Sequence, residues 1–220
     1  MLTMNHVAYS YRKAKETIQI FEDKTLSFEP GTMYGIFGPS GSGKTTCLAL
    51  LGGLERPDKG EILLDGVSIA KIGERNLRKH HISYVFQDYQ LFSYMTALEN
   101  VMTARQISQP KESFKDLKER CRKQLADMGL EPDQIMRKVT ELSGGQQQRV
   151  AIARALATDA DYILADEPTG NLDKENTKKI VCLLQQIAHE QKKCVIVVTH
   201  SEFVKKNCDF CYQIGEEDEK

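Results

Sequence analysis

Two stretches of this 220-residue chain set glycines directly before a helix pattern, and each could hold an anion. Gly38-Pro39-Ser40-Gly41-Ser42-Gly43-Lys44-Thr45 fits G-x-x-x-x-G-K-[ST]. It follows the apolar run Met33–Phe37, which predicts a buried strand, and opens a predicted helix from about Lys44 to Leu54, with Gly52-Gly53 offering an earlier end. A strand before and a helix after are the context this pattern needs to cradle phosphates. The glycines let backbone N–H groups converge on phosphate oxygens, and the helix N-terminus adds positive potential. Lys44 supplies a point charge to the β- and γ-phosphates, Thr45 a hydroxyl for Mg²⁺, and Thr46 a contact to a neighbouring phosphate. The second stretch, Leu142-Ser143-Gly144-Gly145-Gln146, opens a strongly periodic helix over Gln146–Ala157. One nucleotide does not need two such cradles on one chain, so the second hints at a nucleotide held by another subunit.

A third stretch offers acid–base chemistry. Tyr162-Ile163-Leu164-Ala165-Asp166-Glu167 reads as a buried strand ending in two acids. Open α/β sheets bind ligands at the carboxyl ends of their strands, where Asp166 could meet Mg²⁺. Glu167 could then orient or deprotonate a water, help worth roughly 10²–10⁴-fold. Taken alone, an acidic pair before Pro168 reads equally as a helix cap or a turn.

The elements that must position these residues follow from periodicity. Alternating Val7, Tyr9 and Tyr11, then Ile18, Ile20, Leu26 and Phe28, predict strands in the first thirty residues. Further strands are predicted at Glu61–Leu64, Ile82–Phe86, Tyr162–Asp166 and Cys194–Thr199, with a helix over Glu175–Glu190. Strands alternating with helices argue a parallel sheet under helical cover. Between Asp88 and Glu141 the pattern turns helical; Phe114, Leu117, Cys121 and Leu125 form a stripe expected to be lobe core. Glu216–Lys220 is a short acidic tail.

Composition narrows the function classes. Lys and Arg total 30 against 31 Asp and Glu, a net charge of −1, which provides no basic field for nucleic acid. The first residues lack a signal-peptide layout. The apolar runs are far shorter than the roughly 20 residues of a membrane span, so action at a membrane requires another chain to cross it. Six cysteines are scattered, most of them in apolar periodic segments, as expected of reduced core thiols. Cys208-x-x-Cys211 has no second pair at matching spacing and reads as structural rather than as half a zinc site.

Taken in order, the loop ending at Lys44, Leu142–Gln146 and Leu164–Pro168 resemble the ABC ATPase family, and the resemblance runs across essentially the whole chain. The longer strings Leu142–Arg149 and Leu164–Asp173 are similar to the bacterial branch of lipoprotein-release, macrolide-efflux, antimicrobial-peptide-resistance and cell-division ATPases. The resemblance implies an α/β fold: a RecA-like P-loop NTPase core with an antiparallel β lobe and an inserted helical lobe. Residues 1–220 would be one ABC ATPase domain, with the core at about 1–87 and 161–220 and the lobe at about 88–160. It also implies ATP held by Gly38 to Thr46, with Pro39, Ser40, Gly41, Ser42 and Gly43 in the loop and Tyr11 stacked on adenine. Mg²⁺ would be held by Thr45, Gln87 and Asp166. Glu167, His200, Gln87 and Lys44 would be catalytic. Ser143, Gly144, Gly145, Gln146 and Asp173 would serve the nucleotide of a second copy.

The implied partners are ATP, a homodimer formed on ATP binding, and a separate transmembrane permease that leaves the chain peripheral on the inner face of the cell membrane. The aromatics Tyr89, Phe92 and Tyr94 are expected to rim a groove for a partner helix. Ser201 departs from the Asp of many relatives after His200, which leaves the histidine's role intact. A soluble repair or translation ATPase would carry long coiled coils or tandem domains, and neither is here. A module that signals to or activates a cell-wall enzyme remains the alternative. Cargo is read by the membrane partner.

Overall fold

Strands that are apolar at every residue need cover on both faces, and the central sheet of the computed structural model has it. The structure describes residues 1–13 and 16–215. In chain order it forms β1 (Leu2–Lys13), β2 (Glu16–Phe28), β3 (Met33–Phe37), α1 (Lys44–Leu51), β4 (Lys59–Leu64), β5 (Val67–Ser68), α2 (Ile69–Ile72), α3 (Glu74–His80) and β6 (Ile82–Val85). Then come α4 (Ala97–Ser108), α5 (Phe114–Asp127), α6 (Pro132–Ile135), α7 (Gly144–Leu156), β7 (Tyr162–Asp166), α8 (Lys174–His189), β8 (Cys194–Val198), α9 (Glu202–Lys205) and β9 (Phe210–Gln213).

The parallel sheet has the order β6-β7-β8-β3-β9. Every residue of β3 and β8 is buried. Alternate side chains enter two cores. Val85, Ile163, Ala165, Val195 and Val197 join the core shared with α4, α5, α7 and α8. Ile82, Tyr162, Leu164, Ile196 and Val198 join the other, under α1 and the antiparallel sheet. That second sheet has the order β2-β1-β4-β5 and contributes Leu2, Met4, Phe28, Ile62 and Leu64. The arrangement is a RecA-like α/β core with an antiparallel β lobe. Helices α4 and α7 start on capping boxes, Thr96 with Glu99 and Ser143 with Gln146.

Several expectations are corrected. Helix α1 takes the earlier of its two expected ends and stops at Leu51, because Gly52 ends it and Gly53 takes a left-handed φ of 67°. Phe114 is exposed, since it opens α5 next to its cap Ser113, while Leu117, Cys121 and Leu125 are buried as expected. Of the cysteines, only Cys47, Cys121 and Cys194 are buried; Cys208 is half-buried and Cys182 and Cys211 are exposed. The thiols of Cys208 and Cys211 donate to Val204 O at 3.3 Å and Lys205 O at 3.5 Å, in α9.

Helix α1 is set on the sheet through Tyr84, whose hydroxyl donates to Leu48 O at 3.0 Å. A Cβ on Gly52 would stand 1.6 Å from that hydroxyl oxygen, although φ −92° suits any residue. Gly52→Ala is therefore expected to cost about 1–3 kcal/mol by overpacking, measured by urea unfolding. With Tyr84→Ala also present, the two losses should fail to add. An unchanged midpoint for Gly52→Ala would show that the ring moves aside freely.

Candidate functional site

The strand register gathers the chemistry. Val85 pairs with Ala165, Asp166 with Val198, and Ile36 with Val198. The parallel strands therefore end together, and the residues that follow them converge at their carboxyl ends: Gly38–Gly43 after β3, Gln87 after β6, Glu167 after β7, and Thr199 and His200 after β8.

The glycine loop is shaped by close approach. A Cβ on Gly38 would meet Ile214 O at 2.2 Å, and one on Gly43 would meet Ile20 Cγ2 at 2.4 Å. Gly43 is the N-cap of α1, at φ 93°, and brings no side chain to cap the helix. The first N–H groups of α1 have no partner within the helix and face whatever the loop encloses. Ser42 Oγ is buried there without a hydrogen-bond partner. Lys44 Nζ donates to Gly38 O at 2.9 Å and Pro39 O at 2.8 Å. Open N–H groups, an orphaned hydroxyl and a lysine held only by carbonyls suit a phosphate. The Tyr11 hydroxyl lies 3.2 Å from Thr46 Oγ1, and its exposed ring stands edge-on to Tyr9 at 5.1 Å.

The acids sit beside this loop. Thr45 Oγ1 donates to Asp166 Oδ1 at 3.5 Å. Burial pushes the Asp166 carboxyl above its ordinary range, and the neighbouring Glu167 charge adds to this, while Thr45 and Lys44 pull the other way. The Asp166 carboxyl and the Thr45 hydroxyl are hard oxygen donors of the kind that suit Mg²⁺. Glu167 is mostly buried and takes a left-handed φ of 45°, an uncommon state for a non-glycine residue. Its Oε2 accepts from Thr199 Oγ1 at 2.8 Å, and its Oε1 lies 2.8 Å from His200 Nδ1. A cavity of about 490 Å³ opens beside Glu167, His200 and Phe203. Gln87 adjoins them: its carbonyl accepts from Asn171 Nδ2 at 3.1 Å, and its Nε2 lies 3.3 Å from the place of a Cβ on Gly170.

The remaining expected residues form a separate group. Ser143 Oγ accepts from Gln146 N at 3.4 Å, and Gln146 Oε1 accepts from Ser143 N at 2.8 Å. Gly145 packs on Asn176, where a Cβ would come within 2.6 Å of Oδ1. The Asn176 side chain donates to Asp173 Oδ2 at 2.7 Å, and its backbone N–H to Oδ1 at 2.8 Å. Those two donors hold the Asp173 carboxyl below the usual carboxylate range. Among the described residues no hydrogen bond joins this group to Lys44, Thr45, Asp166 or Glu167.

Of the three aromatics expected to rim a groove, Phe92 and Tyr94 are exposed, with ring centres 6.1 Å apart. Tyr94 borders a depression of about 360 Å³ with Met95, Glu99 and Met102. Tyr89 does not join them, because its ring packs against the core and its hydroxyl reaches Gly144. Sequence reasoning missed Thr199, Asn171 and Asn176. Thr199 had a signal, a polar residue closing the apolar run Cys194–Val198; Asn171 lay within the string Leu164–Asp173 without a role of its own, and Asn176 had no signal. Among the described residues no helix is long and apolar enough to cross a membrane.

Residues 21–170 match the family model described as ABC transporter. The chain is 47% identical to the uncharacterized ABC transporter ATP-binding protein YclH of Bacillus subtilis, over 95% of this chain and 91% of that one. It is 37% identical to the lipoprotein-releasing system ATP-binding protein LolD of Legionella pneumophila, over 95% and 92%. It is 38% identical to the methionine import ATP-binding protein MetN 2 of Bacillus cereus, over 98% of this chain and 62% of that one. The dimeric structure of the bacterial ABC transporter cassette MJ0796 superposes with a TM-score of 0.88 at 36% identity, covering 97% of this chain and 94% of that one.

Thr199 is fully buried and satisfies both Glu167 Oε2 and the backbone N–H of Ser201, at 2.8 and 3.1 Å. Thr199→Val keeps the shape but orphans both partners, so it should cost about 1–3 kcal/mol, measured by chemical denaturation. A variant as stable as the parent would show that water replaces the hydroxyl at no cost.

Proposed function

The chain belongs to the ABC transporter family as one of its ATP-binding, ATP-hydrolysing subunits, and on that premise we propose that ATP closes two copies face to face to drive a separate membrane permease. The observation that carries this reading is the separation of two phosphate-ready helix N-termini. One is α1 behind Gly43, and the other is α7 behind Ser143, whose hydrogen bonds stay within its own cap. Each is a positive end suited to phosphate. A γ-phosphate lying on α1 of one copy is met by Ser143, Gly144, Gly145 and Gln146 of the other, with Asp173 alongside.

Within one copy, Gly38 to Thr46 wrap the phosphates and the Tyr11 ring stacks on the base. Thr45, Gln87 and Asp166 would hold Mg²⁺, which when bound offsets negative charge on the phosphates. Glu167 accepts a proton from the attacking water as its oxygen bonds to the γ-phosphorus and the bond to the β-phosphate oxygen breaks, leaving ADP and phosphate. Thr199 and His200 hold the Glu167 carboxylate aimed, and His200 faces the γ-phosphate. The lobe at about 88–160 passes the closure on through the exposed Phe92 and Tyr94. The chain sits on the inner face of the cell membrane through its permease. Export, with lipoproteins or peptides as cargo or as antimicrobial resistance, is the service we propose. It is supported by the likeness to LolD along nearly the full length of both chains, whereas the match to the importer spans less of that protein.

Glu167→Gln should slow hydrolysis by about 10²-fold or more and accumulate an ATP-bound dimer, because a ligand shared by two copies shifts the population toward the pair. Light scattering after size exclusion should give dimer with ATP and monomer with ADP, and adding Lys44→Ala or Ser143→Arg should abolish the dimer. A Glu167→Gln chain that stays monomeric at saturating ATP, or hydrolyses at the parental rate, refutes the shared site. Capture from native membranes should recover a polytopic membrane protein. Recovery of soluble partners alone would count against the permease.

A further inference from the structure

Arg154 lies near the end of α7 remote from Ser143, and its guanidinium leaves the helix for another loop. Nη2 donates to Tyr89 O at 2.9 Å, and Nη1 donates to Gln90 O. Both acceptors are backbone carbonyls of the turn that follows Gln87. Among the described residues Arg154 takes part in no ion pair. Its partly buried position pushes the guanidinium pKa down, with desolvation as the cause. A cation kept in a partly dry site without a counter-charge is costly unless its donors are used, and here two are used on one turn.

That turn is strained. Tyr89 and Gln90 hold φ values of 62° and 48°, two successive non-glycine residues in the left-handed region. The turn's own hydrogen bonds are short-range, Tyr89 N to Phe86 O at 3.1 Å and Gln90 N to Asp88 O at 2.7 Å. The Tyr89 side chain runs back along α7 until its hydroxyl stands 3.1 Å from where a Cβ on Gly144 would be. One residue thus touches α7 twice, through Arg154 at its carbonyl and through Gly144 at its hydroxyl. The carbonyl of Gln87 itself accepts from Asn171 Nδ2 at 3.1 Å.

We propose that Arg154 is a positioning residue that clamps the turn Asp88–Gln90 onto α7, so that Gln87 and Ser143 move as one body. The inference rests on the roles proposed above for Gln87 at Mg²⁺ and Ser143 at the second copy's nucleotide. A planar fork spans two successive carbonyls; the single ammonium of a lysine holds them less well. With the fork in place, a shift of the α7 N-terminus toward a partner's phosphate carries the Gln87 turn with it. Without it, the left-handed pair relaxes and Gln87 loses its setting while the phosphate loop keeps its own.

Arg154→Met retains the apolar stem and removes the fork. In the nucleotide-free protein, backbone amides at 88–92 should exchange hydrogen about tenfold faster, with the sheet unchanged. In steady-state hydrolysis, KM for ATP should stay within about twofold while kcat falls by about 10- to 10²-fold, the size of a misplaced catalytic group. Arg154→Lys should lie between. Gln90→Gly, at ease with a left-handed φ, should restore part of the lost kcat in the Arg154→Met chain, which a merely structural arginine would not allow. Unchanged exchange, unchanged kcat, or kcat and KM falling in step with thermal stability would each overturn the clamp. The Glu167→Gln dimer reads the shared site independently. If that dimer forms while Arg154→Met is silent, only the clamp falls; if it fails while the exchange changes, the shared site falls.

Discussion

The parallel ladder that holds β7 between β6 and β8 carries the rest of the molecule. Ala165 sits opposite Val85 and Val197, and Asp166 opposite Val198. Because β3, β6, β7 and β8 run the same way, the chain leaves the sheet at the same edge after each of them. Slide β7 by one residue and Leu164 and Ala165 would exchange cores, while Asp166 and Glu167 would exchange neighbours. The register is therefore protected by the two apolar cores, each of which accepts one of the two alternating sets of side chains. Packing far from the site sets which acid faces Thr45 and which faces His200.

The charges at that edge are satisfied locally. Lys44 is bonded to loop carbonyls, Asp166 to Thr45, and Glu167 to Thr199 and His200. The bonds of Lys44 and of Asp166 are ones that a bound phosphate or cation can replace with a stronger, charge-assisted contact, whereas those of Glu167 keep its carboxylate in place. The raised pKa of Asp166 records the strain of a half-buried acid next to another, and a divalent cation there would favour its charged form. The two helix N-termini differ in readiness. Gly43 leaves α1 open, whereas Ser143 and Gln146 close α7 on themselves, so a phosphate approaching α7 has to compete with its own cap.

Much of this was legible in the residues. The strands Met33–Phe37 and Tyr162–Asp166 have the predicted bounds, because unbroken apolar runs flanked by turn signals leave little choice. The long helices α7 and α8 lie within two residues of the predicted ends. Short elements escaped: α2, α3, α9 and β9 hold too few residues to show a period. Phe114 misled because a stripe at helical spacing does not reveal that the first turn of α5 projects past its neighbours. Tyr89 misled in the same way, since an aromatic beside two exposed ones gives no sign that its own φ is left-handed and turns its ring inward.

What the sequence by itself determined is the chemistry that depends on neighbours along the chain. The glycine loop before α1, the serine cap with two glycines before α7, and the acids closing β7 are local patterns, and local conformational preference dictates their shape. What only the tertiary structure decided is every pairing across the chain. Thr199 and His200 on Glu167, Asn171 on Gln87, Asn176 against Gly145, and Arg154 on the turn at Tyr89 each join residues from separate elements. Such contacts exist because strands of matched register and helices of fixed crossing bring side chains within about 3 Å of one another. No periodicity within one segment encodes a distance to another.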